Sequence, residues 1–309
     1  MTTLLALLLA CGSTPAPEPA PPPTPTAPPL PPPPPEPEKP EVDLTVPTDV
    51  LLARAKLLQA ERAIVDPTVD DETAALWGHA MQRIARALAA DPVMGEAVLS
   101  GIKDEALAKD LRLVVHGTAE IAKTVTRPRT DLPDWRIERP PAPSELRGYY
   151  DAASQTHGVP WSALASIHLN ETRMGRLRGV SPAGARGPMQ FMPATWKGYG
   201  MGGDIESPKD AIAAAGNYLA KMGWAKDPAK AIWHYNQSEH YVAAIQDFQA
   251  YLEGDPQRYR GLWGWQVYYR TVRGSIWLSE GYEQQARIPI EAWCDEKGEP
   301  WCPAPDDPK

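Results

Sequence analysis

Glu171-Thr-Arg-Met-Gly175 leads through Arg176-Leu-Arg-Gly-Val180 into Ser181-Pro-Ala-Gly-Ala-Arg-Gly-Pro-Met-Gln190-Phe-Met-Pro-Ala-Thr-Trp196. A carboxylate near the end of a helical stretch is followed by backbone dense in glycine and proline, then by Gln, two Met and a Trp. The spacing predicts an amphipathic helix over 160–174. Pro160 suits a first-turn position, where its missing N–H is not needed, and Gly175 suits the C-terminal stop. Leu164, Ile167 and His168 precede Glu171 at helical spacing, so the four share one face. That face is expected to turn inward, leaving the carboxyl at the edge of a core. Partial desolvation there raises its pKa toward a value useful to a general acid. A glutamate that merely ends a helix on a solvated surface is the other reading of the same residues.

The loop tips the balance. Ser181-Pro182-x-Gly184-Ala185-x-Gly187-x-Met189-Gln190-Phe191-Met192-Pro193-x-Thr195-Trp196 closely resembles the signature of the lytic transglycosylases, soluble-type and membrane-bound B-like. These are lysozyme-like enzymes that cleave the glycan strands of peptidoglycan. In that family a Glu followed by Ser or Thr precedes the Gly-x-Met-Gln-x-Met-Pro stretch, as Glu171-Thr172 does here. Two later blocks follow in the family's order: Asp210-Ala-Ile with Asn217-Tyr218-Leu219 and Gly223-Trp224, then Tyr235-Asn236-x-Ser238-x-x-Tyr241-Val242. Pro188 stands where the family more often has an apolar side chain such as Leu.

The resemblance implies a single catalytic carboxylate. Glu171 would protonate the leaving glycosidic oxygen between MurNAc and GlcNAc, and the substrate's N-acetyl group would support the developing cation. Ionised Glu171 would then deprotonate the sugar's own C6 hydroxyl, whose attack on C1 gives a 1,6-anhydromuramyl end. A nucleophile already held in place needs no second base to orient water. Ser181 and Gln190 are expected to hydrogen-bond sugar substituents, Met192 to form an apolar wall, Tyr235 to approach Glu171, and Asn236 to support its loop. No cofactor and no metal is implied. The six histidines are scattered, and neither Cys-x-x-Cys nor His-Glu-x-x-His occurs.

The front of the chain reads Met1-Thr-Thr-Leu-Leu-Ala-Leu-Leu-Leu-Ala-Cys11. The apolar run is too short to span a bilayer and suits a signal peptide, although no Lys or Arg precedes it. Leu8-Leu9-Ala10-Cys11 resembles a bacterial lipoprotein signal with Cys11 as the lipidated residue, which implies a periplasmic protein anchored to the outer membrane. Residues 12–47 hold 17 of the 36 prolines and almost nothing that builds a core. They read as an extended tether, reaching on the order of 110 Å at about 3.1 Å per residue. With Cys11 assigned to lipid, Cys294 and Cys302 are left and are expected to pair in an oxidising compartment.

Beyond the tether the expected class is all-α. A helical region over 48–126 has Leu51, Leu52, Ala55 and Leu58, then Leu76, Ala80, Met81, Ile84 and Leu88, at helical spacing. A proline-rich linker over 127–143 follows, and then a lysozyme-like catalytic domain over 144–309 with a Trp-rich extension and no convincing strand. Net charge is −8 and no basic face suggests nucleic acid. Locally, Arg173, Arg176, Arg178 and Arg186 crowd Glu171 in sequence and could hold substrate carboxylates. Trp161, Trp224 and Trp233 read as core and Trp196 as an edge of the cleft. The expected partner is the peptidoglycan strand. Two other functions fit less well: a hydrolytic muramidase, which needs water and a second acid, and a non-catalytic peptidoglycan-binding lipoprotein, which has no need of Glu171.

Overall fold

The computed structural model describes residues 41–297; Cys11, most of the tether and Cys302 lie outside them. Asp49 caps α1 (Val50–Val65), its carboxylate accepting from the N–H groups of Leu51 and Leu52. The buried stripe of α1 is Ala53, Leu57, Ala60 and Ile64. The expected stripe is displaced from it: Leu51 and Leu52 are 67% and 63% exposed. Asp91 ends α2 (Asp71–Ala90) and caps α3 (Pro92–Ser100), and Asp104 caps α4 (Glu105–Lys123). Proline opens α3, and likewise α5 (Pro143–His157), where its missing N–H belongs to a group the helix leaves unbonded anyway.

Residues 127–143 are not a free linker. β1 (Asp131–Leu132) and β2 (Arg136–Ile137) lie within this stretch, and Leu132 and Ile137 are fully buried or nearly so. After α5 comes α6 (Trp161–Thr172), which is buried almost all round, not amphipathic: Ser162 through Leu169 are all buried. β3 (Leu177–Arg178) pairs antiparallel with β2. There follow α7 (Pro193–Tyr199), α8 (Pro208–Lys221), α9 (Pro228–Tyr235), α10 (Glu239–Gly254) and α11 (Arg258–Trp263).

Contrary to expectation, the chain also contains a hairpin. β4 (Val267–Thr271) and β5 (Gly274–Leu278) pair in antiparallel register around Val272-Arg273. β6 (Ile288–Pro289) pairs with β1, and α12 (Ile290–Lys297) ends the described chain. Even so, the protein is mostly helical, as expected, and its strands form only small pairs.

One large core joins α1–α4 to the helices around α6, so the first four helices are not a separate body. The seams are specific. Gly78 of α2 and Gly261 of α11 meet so closely that a Cβ on Gly78 would stand 1.9 Å from the Gly261 carbonyl oxygen. Arg258 Nε donates to Glu61 at 2.7 Å and Arg258 Nη1 lies 2.8 Å from Asp110, tying α11 to α1 and α4. Between α4 and α10, His116 Nδ1 lies 2.6 Å from Asp247 and His240 Nδ1 lies 2.7 Å from Glu120. A second, smaller core contains Leu132, Ile137, Val267, Ile276, Leu278, Tyr282, Ile290 and Cys294. Cys294 is disulfide-bonded; Cys302, its expected partner, lies outside the described residues. Among the described residues no helix is long and apolar enough to cross a membrane.

Candidate active site

Glu171 is the penultimate residue of α6, a helix buried along most of its length. The helix stops at Thr172, two residues before the expected end, because Arg173, Met174 and Gly175 all take positive φ (54°, 60° and 86°). This left-handed run turns the chain sharply. Thr172 fastens the turn on both sides, its hydroxyl donating to Pro188 O at 2.6 Å and accepting from Gly175 N at 3.0 Å. The helix end and the loop over it are therefore bonded to one another.

The Glu171 carboxyl is half-buried. Tyr241, in the first turn of α10, donates its hydroxyl to Glu171 Oε1 at 2.6 Å. Burial pushes the Glu171 pKa up to about 7, against the smaller pull of the Tyr241 hydrogen bond and of the Arg173 charge. Among the described residues, no other carboxylate is among the groups that shift it. A pKa near neutrality lets the group hold or release a proton. Below it, His168 is fully buried, with Nδ1 2.6 Å from the Tyr150 hydroxyl. Desolvation lowers the His168 pKa to about 3, so the imidazole stays neutral beneath the acid.

The loop of 181–192 is built around its own backbone. Arg186 and Phe191 exchange two N–H···O bonds of 2.9 Å, closing a tight turn between them. Gln190 sits at φ 50°, and its Nε2 donates to Gly187 O at 3.0 Å and Gly179 O at 3.3 Å. Ser181 Oγ accepts from Ala185 N at 3.0 Å, which leaves its hydroxyl proton to donate elsewhere. Met192 is 42% exposed, an apolar side chain presented to solvent. Tyr235 is committed to the loop: its hydroxyl donates to Met189 O at 2.7 Å, and its ring packs on Phe191. It lies close enough to Glu171 for that charge to raise its pKa. Asn236 is exposed just beyond α9.

The residue that sequence reasoning missed is Tyr241. It lies in the same quoted block as Tyr235, yet it is the one whose hydroxyl reaches the acid. The expected arginine cluster does not form either. Arg176 is buried, donating to Trp265 O and Trp263 O and pairing with Glu280 at 3.8 Å. Arg178 pairs with Glu138 at 3.3 Å and Arg186 with Glu206 at 3.3 Å. Trp263 and Trp265 of the C-terminal extension are core residues, each 2% exposed. Trp196 is half-buried and packs edge-on against Phe191. Among the described residues, no group of three or more His, Cys, Asp and Glu is placed to hold a metal ion.

Comparison with known proteins agrees with the loop. Residues 177–229 match the family model of the transglycosylase SLT domain. The match includes Ser181, Gln190 and Met192 and begins just after Glu171. No curated protein and no solved structure matches the chain.

Proposed function

We propose that the protein is a lytic transglycosylase that cuts the β-1,4 bond between MurNAc and GlcNAc in peptidoglycan and leaves a 1,6-anhydromuramyl end. A transglycosylase SLT domain directly follows the acid, and this supports the enzyme class in general. The observation that supports the finer reading is the environment of the acid: Glu171 is raised to about 7 with a tyrosine and an arginine beside it and, among the described residues, no second carboxylate among the groups that shift it. Glycosidases that use water or a covalent intermediate usually work with two carboxylates about 5 to 10 Å apart.

Protonated Glu171 gives its proton to the glycosidic oxygen as the bond to C1 breaks. The ionised carboxyl is then held by the Tyr241 hydroxyl and steadied by Arg173, and it takes the proton of the C6 hydroxyl as that oxygen closes on C1. Both transfers use one group, so a pKa near the working pH serves both. Ser181, Gln190 and Met192 offer hydrogen bonds and an apolar surface to the sugars on the loop side.

The lipoprotein-like Leu8-Leu9-Ala10-Cys11 supports placing the enzyme in the periplasm on a lipid anchor, with the proline-rich segment as its tether. Mass spectrometry of the products from purified sacculi tests the chemistry. Anhydro ends are expected; reducing ends would make the protein a muramidase, and no release would make it a binding protein.

A further inference from the structure

Arg83 and Arg86 of α2, and Arg173 in the turn after α6, differ from the arginines around them. Arg176, Arg178 and Arg186 each have a carboxylate within 4 Å. Among the described residues, Arg83, Arg86 and Arg173 are ion-paired with none. All three are half-buried.

Their positions are fixed by a shared support. His79, Gln82, Arg83 and Arg86 recur at helical spacing on one face of α2, and that face lies on residues 266–268. Gln82 Nε2 donates to Gln266 O at 2.9 Å, and Gln266 N donates back to Gln82 Oε1 at 2.7 Å. His79 Nε2 lies 2.8 Å from the Tyr268 hydroxyl, and the Arg86 guanidinium lies 4.3 Å above the Tyr268 ring. Arg173 is held by its own helix, Nη1 donating to Leu169 O at 2.5 Å, and three residues on Arg176 Nε donates at 3.1 Å to Trp265 O, which adjoins 266–268. Two separate elements thus bring cations close enough for the Arg86 charge to act on Arg173, and Glu171 is two residues from Arg173.

The charges sense one another. Burial first, and then the nearby Arg86 charge, lower the Arg173 pKa to about 10, with Glu171 pulling the other way. Arg83 in turn acts on Arg86. His79 is held near pKa 3, chiefly by burial, and adds no charge. Like charges held together in a partly desolvated rim disfavour the empty site, and an arriving anion relieves that repulsion. Guanidinium forks match a carboxylate in geometry as well as in charge.

We propose that Arg83, Arg86 and Arg173 form an anion subsite beside Glu171 that takes a carboxylate of the peptides borne by the glycan strand. The subsite rests on the reading of the protein as a peptidoglycan enzyme, and it adds a substrate determinant. All three arginines lie outside the stretch that matches the family, and two of them come from the N-terminal helix α2. This gives α2 a part in the substrate cleft.

The test is equilibrium binding by the catalytically disabled Glu171→Gln protein to two probes: peptide-bearing glycan strands, and the same strands stripped of peptide by an amidase. The Glu171→Gln protein is expected to prefer peptide-bearing strands by about tenfold, a preference that weakens as salt rises. Adding Arg83→Gln and Arg86→Gln should bring the ratio close to one, with the melting temperature as the check on folding. Should that variant not fold, Arg86→Lys, which keeps the charge and loses the fork, is expected to give an intermediate ratio. A ratio near one before any arginine is changed, or a preference that survives every arginine substitution, overturns the subsite. Digestion of sacculi by the wild type keeps the two ideas apart. Anhydro ends with an arginine-independent preference leave the enzyme and remove the subsite. An arginine-dependent preference without anhydro ends does the reverse.

Discussion

Tyr241 holds Glu171 from a helix seventy residues further along the chain, its hydroxyl 2.6 Å from Oε1. The bond favours the ionised carboxyl, while burial favours the neutral one, and burial is the larger effect. Tyr241→Phe removes the donor and leaves no new polar group buried. The Glu171 pKa should then rise above about 7, so the limb on which activity falls with increasing pH should move to higher pH. With the carboxyl no longer held, kcat should drop between about 10- and 100-fold. The pH profile of kcat checks this, and an unmoved alkaline limb would separate Tyr241 from the proton transfers.

Glu171→Gln should abolish release of soluble muropeptides by about three orders of magnitude or more while leaving the fold intact. It should also change stability in a way that depends on pH. The folded-state pKa of Glu171 lies near 7, above its ordinary value of 4.5. Folding therefore favours the protonated acid, and stability is lost as pH rises through the folded pKa. The full linkage is at most about 3 kcal/mol, less in practice because the carboxyl is partly solvated. Glutamine does not titrate. The variant should gain in melting temperature relative to wild type at pH 8 compared with pH 4.5, as thermal denaturation at the two values will show.

Gly187 is required where it stands. Its φ is +74°, and a Cβ there would lie 1.9 Å from Ile205 O. Its carbonyl also accepts from both Gln190 N and Gln190 Nε2 at 3.0 Å. Gly187→Ala should cost at least about 2 kcal/mol, measured by denaturant unfolding, and should raise KM by displacing Gln190. An alanine variant of wild-type stability would mean the loop tolerates another path.

Much of this site could be read in the sequence, and the failures share a cause. Leu164, Ile167, His168 and Glu171 lie on one helical face, and that periodicity was enough to foresee a desolvated acid. It was not enough to foresee that the rest of α6 is buried too, since a helix surrounded by others shows no polar side. Adjacency misled for the arginines: three consecutive positive-φ residues fan them apart, so Arg176 points back onto Trp265 O while Arg178 and Arg186 face separate glutamates. Tyr235 and Tyr241 stand in one motif, and only the packing of α10 on α6 decides which hydroxyl meets the carboxyl. Val267–Leu278 carries turn residues between two apolar runs and could have been read as a hairpin. The prolines of 127–143 hid Leu132 and Ile137, whose burial depends on pairing with strands far along the chain.

Cys11→Ser tests the anchor proposed from the sequence. The wild type should fractionate with membranes, and the variant should appear in the soluble periplasmic fraction with its turnover on sacculi unchanged. Wild-type protein found wholly in the soluble fraction would remove the lipid assignment and leave the chemistry at Glu171 untouched.

Arg258 should prove the most costly single truncation outside the site. It is 6% exposed and meets Glu61, itself 3% exposed, at 2.7 Å and Asp110 at 2.8 Å. Tyr251 adds a 2.5 Å hydrogen bond to the other Glu61 oxygen. Burial raises the Glu61 pKa, and Arg258 is the strongest influence opposing that rise. Arg258→Ala strands the carboxylate in the core, a loss of about 3 to 5 kcal/mol. The sign with pH follows from Glu61. Without its cation its folded pKa climbs further, so the variant is least destabilised where Glu61 is protonated and loses stability as pH rises through that value. Denaturant unfolding at pH 5 and pH 8 should therefore show a larger deficit at pH 8. A deficit independent of pH would mean that Arg258 acts by filling space, with its charge contributing little.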